Sequence, residues 1–483
     1  MQNLERRMQN GGMMNGSNQV RRKPIRAAFT LVEMLIAMAL TLILVYSIAE
    51  FYAYIGNAVR DGRATIEMGG QLRAATAQLN EDLQSLTLRP TPWIDPNSSP
   101  GYFTVYEGFA SDADPDFNGM ATNSIFAVNG NNIPTLVADN NITTLFGDGD
   151  DVIAMTIRSK DIPFQATHNG NVQTSQFAEV IWYTTFVDSN GNNTWDMGGT
   201  VALPSSTEMR FLCRRQLLIR PDLGTLATGR LADLLSYWQN SDISGRIVSQ
   251  GGGNFALVAN SLADLSRREN RFGCALSANG TALSTYPFGI DLVPNRWPVN
   301  PDTASTTTPF TAYALAGNTV GEDRVLANVL AFDVRVFDPE VRVFRDADSV
   351  VALVPGDPGY VAAAADNNRF QGRGAWVDLY YNQHLTRDGG APQSTHFSSA
   401  PNGFAYGIWD TWPTTYETLA PRTGRAFNGL DDDNANGVDD PGERETQPPY
   451  AVPLRGIQVR IRMYEPQTRQ MRQATVAADF VGD

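Results

Sequence analysis

The chain has 483 residues, of which 18% are charged and 42% apolar, and its formal net charge at pH 7 is −14. This composition describes a folded protein with a real core, and the length allows two or three ordinary domains or one large β-rich domain. The acidic balance argues against general nucleic-acid binding, which requires a basic surface, and it is compatible with cation binding. Abundant Gly (42) and Pro (27) favour turns and loops over long helices.

The N-terminus has the charge order of a membrane anchor. Residues 1–20 are rich in Met, Asn and Gly without periodicity, which is typical of a disordered leader. A basic cluster at positions 21–26 precedes the apolar run 29–49, in which Glu33 is the only charged residue. As a helix this run is about 30 Å long and can cross a bilayer. Basic residues beside a span stay in the cytoplasm, so we expect a single-pass protein with an extracytoplasmic body.

The start of the apolar run carries a recognisable motif. Basic residues and the small residue Ala28 are followed by Phe29, Thr30, Leu31, Val32 and Glu33. This order resembles the class III signal peptides of type IV pilins and of the pseudopilins of type II secretion. The resemblance implies that prepilin peptidase cleaves between Ala28 and Phe29 and methylates the new amino group of Phe29. Ala28 stands where that family usually has Gly, and a plain, uncleaved signal anchor is the alternative interpretation.

The resemblance also implies a role for Glu33, which would be the fifth residue of the mature chain. A carboxylate in hydrocarbon is costly unless it is paired. In the family this Glu neutralises the N-terminal ammonium of a neighbouring subunit. The implied partners are other minor and major pilins or pseudopilins, prepilin peptidase, the bacterial inner membrane and the assembly platform. The implied fold class is α+β, with a long N-terminal helix packed on an antiparallel β-sheet and large loop-rich insertions.

The predicted organisation has four parts. These are a cytoplasmic leader at 1–28, a transmembrane helix at 29–49, an amphipathic helix at 50–90 and a β-rich head at 91–483. An apolar stripe with steps of three and four predicts the amphipathic helix: Leu72, Ala75, Leu79, Leu83 and Leu86. Glu81 and Asp82 are expected on its solvent side, and Pro90 and Pro92 are expected to end it. Gly62 and the pair Gly69-Gly70 are candidate positions for a bend or break.

The head is expected to be built from short strands. Alternating or β-rich runs lie at 151–158, 179–186, 209–220, 329–337, 340–344 and 456–464. The alternation Val334-Arg335-Val336 is typical of a half-buried strand. The pair 179–186 and 211–220 is similar to a hairpin of J-type minor pseudopilins and PilW-like minor pilins. We therefore expect a minor subunit at or near a filament tip, with the insertions 221–330 and 345–450 unassigned.

Two loops have the oxygen spacing of a calcium loop. Residues 432–443 place oxygens at positions 1, 3, 5, 7, 9 and 12: Asp432, Asn434, Asn436, the carbonyl of Val438, Asp440 and Glu443. Residues 188–199 repeat positions 1, 3, 5, 7 and 9 without the final acid: Asp188, Asn190, Asn192, Thr194 and Asp196. Both predict structural Ca²⁺ on an acidic body, and ordinary Asn/Asp turns are the alternative.

Signals of catalysis are weak. His168, His384 and His396 are isolated in the sequence, and it contains no zinc-protease, serine-hydrolase or nucleotide-binding motif. We predict that the chain is not an enzyme. The alternative is a membrane-anchored carbohydrate- or protein-binding module, or less readily an anchored hydrolase. Its best candidate for an exposed aromatic patch is formed by Trp409 and Trp412 with Tyr406 and Tyr416.

The two cysteines, Cys213 and Cys274, allow one disulfide if the body lies in an oxidising compartment. Two buried thiols are the alternative, because the sequence alone does not distinguish the two states.

Overall fold

The structure is a computed structural model that describes part of the chain. It describes residues 30–91, 100–108, 147–149, 151–168, 170–186, 210–230, 234, 236–239, 241–267, 270–272, 274–276, 282–287, 321–347, 351–387, 389–399, 407–412, 450, 452–465 and 470–480. The chain divides into two compact units, Met1–Arg60 and Asp61–Asp483.

The first unit contains most of the apolar run. Helix α1 extends over Leu31–Gln84, and its residues up to Arg60 are all exposed. Large apolar side chains dominate this surface, from Leu31, which is 77% exposed, to Val59. Among the described helices, α1 is the one that is long and apolar enough to cross a membrane, as judged by length and composition.

In the second unit, the C-terminal part of α1 lies on a hydrophobic core. Its buried apolar residues are Met68, Leu72, Ala75, Leu79 and Leu83, which confirms the predicted stripe up to residue 83. The helix ends at Gln84, so the prediction of a helix reaching residue 90 was wrong. The chain leaves the helix before Pro90 and Pro92, because the Thr87 N–H already donates to the Thr156 carbonyl at 3.0 Å. The glycines at 62, 69 and 70 are helical.

The rest of the second unit is built mainly from strands. They are β1 (Phe103–Tyr106), β2 (Val152–Arg158), β3 (Phe164–His168), β4 (Asn171–Ser175), β5 (Phe177–Phe186), β6 (Arg210–Leu218), β7 (Thr225–Gly229), β8 (Gly245–Gly251), β9 (Asn254–Ala259), β10 (Cys274–Leu276), β11 (Ala282–Pro287), β12 (Arg324–Ala327), β13 (Val329–Arg345), β14 (Ala352–Leu353), β15 (Phe370–Val377), β16 (Ile408–Asp410), β17 (Gly456–Glu465) and β18 (Gln470–Asp479). Two short helices are α2 (Tyr360–Ala364) and α3 (Asn382–Arg387). Turns of 3₁₀ helix lie at Pro221–Leu223, Ser236–Gln239, Asp264–Ser266 and Asn367–Arg369.

All the predicted strand runs are strands, with ends shifted by a few residues. The runs 329–337 and 340–344 form the single strand β13, which is 17 residues long. Its pairing with β15 changes register between Asp338 and Arg342. Such a bulge accommodates Pro339, which cannot donate to the ladder. The predicted pair of strands at 179–186 and 211–220 is present as antiparallel β5 and β6.

Two larger antiparallel sheets carry the core. One has the order β12-β6-β5-β2-β1-β16, and the other has β14-β13-β17-β18 with β15 also on β13. The main core contains the buried face of α1, Phe103 and Val105 of β1, and Phe332 of β13, so the helix and both sheets share it. The α+β prediction of a long helix on antiparallel sheets is therefore confirmed.

The six-stranded sheet is buried on both faces. In β2, Ile153 faces the main core, whereas Val152 faces a second core that includes Phe255 and Leu257 of β9. The described part of the predicted insertion at 221–330 therefore supplies a cover for this sheet. Double burial explains why β2 and β5 are nearly continuous apolar runs rather than simple alternations.

The structure corrects two expectations about charged side chains. Asp82, expected on the solvent side of α1, is 1% exposed. Arg335, expected in a half-buried strand, is fully buried, and its Nε lies 3.0 Å from Asp333 and 3.1 Å from Asp378. Both predictions failed because apolar periodicity assigns charged residues to solvent, whereas here counter-charges from distant segments, Arg214 for Asp82 and Asp378 for Arg335, help to neutralise them.

Candidate functional site

The first turn of α1 places the predicted assembly residue. Thr30 precedes the helix, and its backbone N–H and its hydroxyl each donate to Glu33 Oε2 at 2.9 Å. The Glu33 N–H donates back to the Thr30 hydroxyl oxygen at 3.2 Å. This reciprocal pair is a capping box, which satisfies helix donors that otherwise lack partners. The Thr-x-x-Glu spacing could have revealed it in the sequence.

The apolar part of α1 satisfies its own polar groups. Thr41 Oγ1 donates to the carbonyls of Ala37 and Met38, and Ser47 Oγ donates to Ile43 at 2.8 Å. Internal satisfaction of every polar group is the condition for a segment in hydrocarbon. The exposed surface of the helix can therefore contact lipid or the apolar helices of other subunits.

Several predicted site residues lie outside the described part of the chain. Ala28 and Phe29, which flank the predicted cleavage site, are among them, as are both predicted calcium loops at 188–199 and 432–443. Cys213 is buried in β6. The side chain of Cys274 lies outside the described residues, so the disulfide stays a prediction.

The aromatic patch proposed for a binding module does not form as expected. Trp409 is fully buried and Trp412 is 1% exposed. Their indole N–H groups donate to the carbonyls of Val452 and Gly101 at 3.0 Å and 2.7 Å. The two tryptophans are core residues whose polar atoms are satisfied, and the prediction that they are exposed was wrong. Tyr406 and Tyr416 lie outside the described residues.

Sequence reasoning missed a cluster of buried acids in the second unit. It comprises Glu107 after β1, Asp148 and Asp151 before β2, Asp378 after β15 and His384 in α3, and we call it the buried acidic centre. The ligand atoms of Glu107, Asp148 and Asp151 all lie within 4.8 Å of one another, and so do those of Glu107, Asp378 and His384. All five residues are at most 3% exposed. The run Asp148-Gly-Asp-Asp151 was the only local signal.

Backbone donors hold the acids of this centre in place. Leu379 N–H donates to Glu107 Oε2 at 3.0 Å. Asp151 accepts from Gly108 N–H at 3.0 Å through Oδ1 and from Val334 N–H at 2.7 Å through Oδ2. Burial, with the like charges of Asp151 and Asp378, raises the pKa of Glu107 well above its usual range.

Arginines lie on two sides of the buried acidic centre. Arg335 Nε is 3.1 Å from Asp378 and also contacts Asp333. Arg210 is 1% exposed, and its guanidinium lies so close to Gly149 that a Cβ there would overlap it. A side chain at Gly407 would similarly lie 2.8 Å from Glu107 Cβ. The backbone is therefore tightly packed around the carboxylates.

Comparison with known proteins bears on the N-terminus alone. Residues 24–45 match the family model described as the prokaryotic N-terminal methylation motif. No curated protein and no solved structure matches the chain.

The matched segment contains Thr30 and Glu33 and most of the apolar run, which agrees with the geometry of α1. The motif and the helix together support a membrane-anchored, type IV pilin- or pseudopilin-like subunit with a class III signal. The motif is that of a structural family rather than an enzymatic one.

Proposed function

We propose that the chain is a minor pilin or pseudopilin, a structural subunit that is processed before Phe29 and joins a type IV pilus or a type II secretion pseudopilus. The observation that supports this most strongly is the methylation motif at residues 24–45, which leads into a helix with a fully exposed apolar surface. Such a surface exceeds what a soluble monomer normally exposes and requires lipid or partner helices. In this proposal the N-terminus is cytoplasmic and the body extracytoplasmic.

A position at or near the filament tip follows from the size of the body. The second unit spans Asp61–Asp483, and such a large head is difficult to repeat along a filament. The partners in this proposal are other minor and major pilins or pseudopilins, prepilin peptidase and the assembly platform. Ca²⁺ bound by the loops at 188–199 and 432–443 would stabilise the head, since their oxygen spacing suits a flexible hard cation.

The test is the mass of the N-terminal peptide of the protein extracted from membranes of its native host. We expect a peptide that starts at Phe29 and carries one added methyl group. An Ala28→Glu variant, in which a charged residue replaces the small residue before the cut, should retain the leader. A wild-type N-terminus at Met1 with the Ala28–Phe29 bond intact would contradict the proposal and favour a simple signal anchor carrying a binding module.

A further inference from the structure

More carboxylates than arginines lie in and around the buried acidic centre. Glu107, Asp148 and Asp151 bring three carboxylates within 4.8 Å of one another at positions that are at most 3% exposed. Like charges at this separation repel strongly in a medium of low dielectric constant. Arg335 divides its charge among Asp333, Asp357 and Asp378, Arg460 lies 3.6 Å from Asp333, and Arg210 packs against Gly149, between Asp148 and Asp151 in the chain. Three arginines thus lie among six carboxylates, so a proton or a further cation at Glu107, Asp148 and Asp151 reduces the repulsion.

A second observation indicates where a ligand would bind. Glu107 Oε1 is buried and has no hydrogen-bond partner among the residues that the structure describes, whereas Oε2 is held by Leu379 N–H. A buried oxygen without a partner is energetically costly, so native proteins rarely retain one without a bound water or ion. The Glu107 carboxylate is thus held through one oxygen, and its other oxygen is available to a ligand.

The neighbouring ligands are also preorganised. Asp151 receives N–H donors from Gly108, next to β1, and from Val334 in β13. Such outer hydrogen bonds fix the direction of metal-ligating carboxylates and leave further lone pairs for the ion. The Asp148 carbonyl accepts from Phe332 N–H at 2.8 Å, which ties the same segment to β13.

We propose that Glu107, Asp148 and Asp151 bind a hard divalent cation, Ca²⁺, inside the second unit. All three ligands are carboxylate oxygens, which Ca²⁺ accepts in variable geometry, whereas Mg²⁺ demands a strict octahedron and retains waters. Zn²⁺ would favour the other group, since His384 supplies an imidazole beside Glu107 and Asp378. None of its ligands belongs to the predicted calcium loops at 188–199 and 432–443, and the site does not depend on pilin assembly.

The cation would join the two larger sheets. Glu107 continues from β1 and Asp151 leads into β2 of the six-stranded sheet, while the Val334 donor belongs to β13 of the five-stranded sheet. We therefore expect Ca²⁺ to stabilise the fold of the second unit by binding the native state alone.

The experiment measures the number of Ca²⁺ ions bound per full-length chain in detergent micelles. Metal is first removed with a chelator, and the protein is then brought to equilibrium by dialysis against Ca²⁺. The background carries Asp188→Asn and Asp432→Asn, so that the predicted loops contribute less. We expect Glu107→Gln to bind one Ca²⁺ fewer per chain than this background and to lose most of the Ca²⁺-induced rise in Tm. Glu179→Gln is the matched control, because Glu179 is also a fully buried glutamate and lies outside the centre. It should bind as many Ca²⁺ as the background.

An unchanged Ca²⁺ count in Glu107→Gln overturns the proposal. If its Tm in chelator also exceeds that of the background, the centre holds a proton instead of a cation. If Glu107→Gln does not fold, the number of bound Ca²⁺ ions is measured on Asp148→Asn, which alters a second proposed ligand. Dialysis of the background protein against equal Ca²⁺ and Zn²⁺ checks the metal, and Zn²⁺ uptake that His384→Gln abolishes would overturn the assignment to Ca²⁺.

Discussion

Glu179 shows how this protein accommodates a buried carboxyl group. It lies in β5, is fully buried, and accepts hydrogen bonds from Tyr102 Oη at 2.8 Å, Ser244 Oγ at 2.5 Å and Phe272 N–H at 3.1 Å. Burial raises the pKa of Glu179 above its usual 4.5, and these hydrogen bonds offset part of that effect. The native state therefore binds a proton at this position more tightly than the unfolded state does.

This difference predicts a pH dependence. Because the folded pKa is raised, the stabilisation that Glu179 gives through its proton is complete below its unfolded pKa and is lost as pH rises through the higher folded pKa. We expect wild type to lose stability relative to Glu179→Gln over that range, because the amide does not titrate. Tm measured for both full-length proteins in detergent at several pH values checks this. A difference in Tm that stays constant with pH would contradict it.

At the scale of whole elements, one largely buried ion pair links α1 to the six-stranded sheet. Asp82 accepts from Arg214 Nε and Nη2 at 2.7 Å and 2.8 Å, and from Trp182 Nε1 at 2.8 Å. The helix thereby contacts β5 and β6 through a charged group as well as through its apolar stripe. Such bidentate, charge-assisted pairs are among the stronger hydrogen bonds.

We predict that Asp82→Ala destabilises the protein by about 3–5 kcal/mol, because it leaves Arg214 and Trp182 Nε1 without this partner in the interior. Glu81→Ala, next to it on the exposed side, should change stability by less than about 0.5 kcal/mol. The measurement is denaturant unfolding of the full-length variants in detergent. Adding Arg214→Met to Asp82→Ala should recover part of the loss, since the unpaired charge is then removed. Equal effects of Asp82→Ala and Glu81→Ala would show that the ion pair contributes little.

The same helix shows what the sequence could predict. The apolar stripe from Leu72 to Leu83 is local and periodic, so it was predictable, as were strands such as β2 and β17. The burial of Asp82 was not, because its partner Arg214 is 132 residues away. Periodicity records apolar residues and does not show which charged residues meet a counter-charge.

The buried acidic centre was unpredictable for a related reason. Its acids follow or precede separate strands, and Glu107 and Leu379, which are 272 residues apart, meet only after the sheets form. The calcium loops could be proposed because their ligands lie within twelve consecutive residues. A site assembled from distant segments leaves no such spacing in the sequence.

At the scale of the whole molecule, the two units differ in what they expose. The first unit presents an apolar helix with Glu33 near its start, and the second buries its apolar residues in shared cores. A helix that is apolar on every side is stable in lipid or among other apolar helices, but not in water. Within the single chain, Glu33 already has Thr30 as its partner, so its proposed role in assembly must be separated from helix capping.

Glu33→Gln makes this separation. Gln preserves the capping box, since its side-chain oxygen can still accept from Thr30 N–H, but it removes the negative charge. If Glu33 neutralises the Phe29 ammonium of a neighbouring subunit, its loss leaves an unpaired charge in the membrane. We expect Glu33→Gln to reduce incorporation into filaments more than about tenfold. A tenfold change corresponds to a free-energy difference of only about 1.4 kcal/mol. Thr30→Ala loses the cap, retains the charge and should assemble much more like wild type.

The measurement is the fraction of each variant in sheared filaments of the native host, relative to its amount in the membrane. Processing at Phe29 should be unchanged in both variants, which excludes failure to cleave as the cause. If Glu33→Gln assembles like wild type while Thr30→Ala does not, the capping box is the function of Glu33 and the pairing between subunits is wrong. If Glu33→Gln alone fails, the negative charge itself is required, because both variants present an apolar helix of the same length to the membrane.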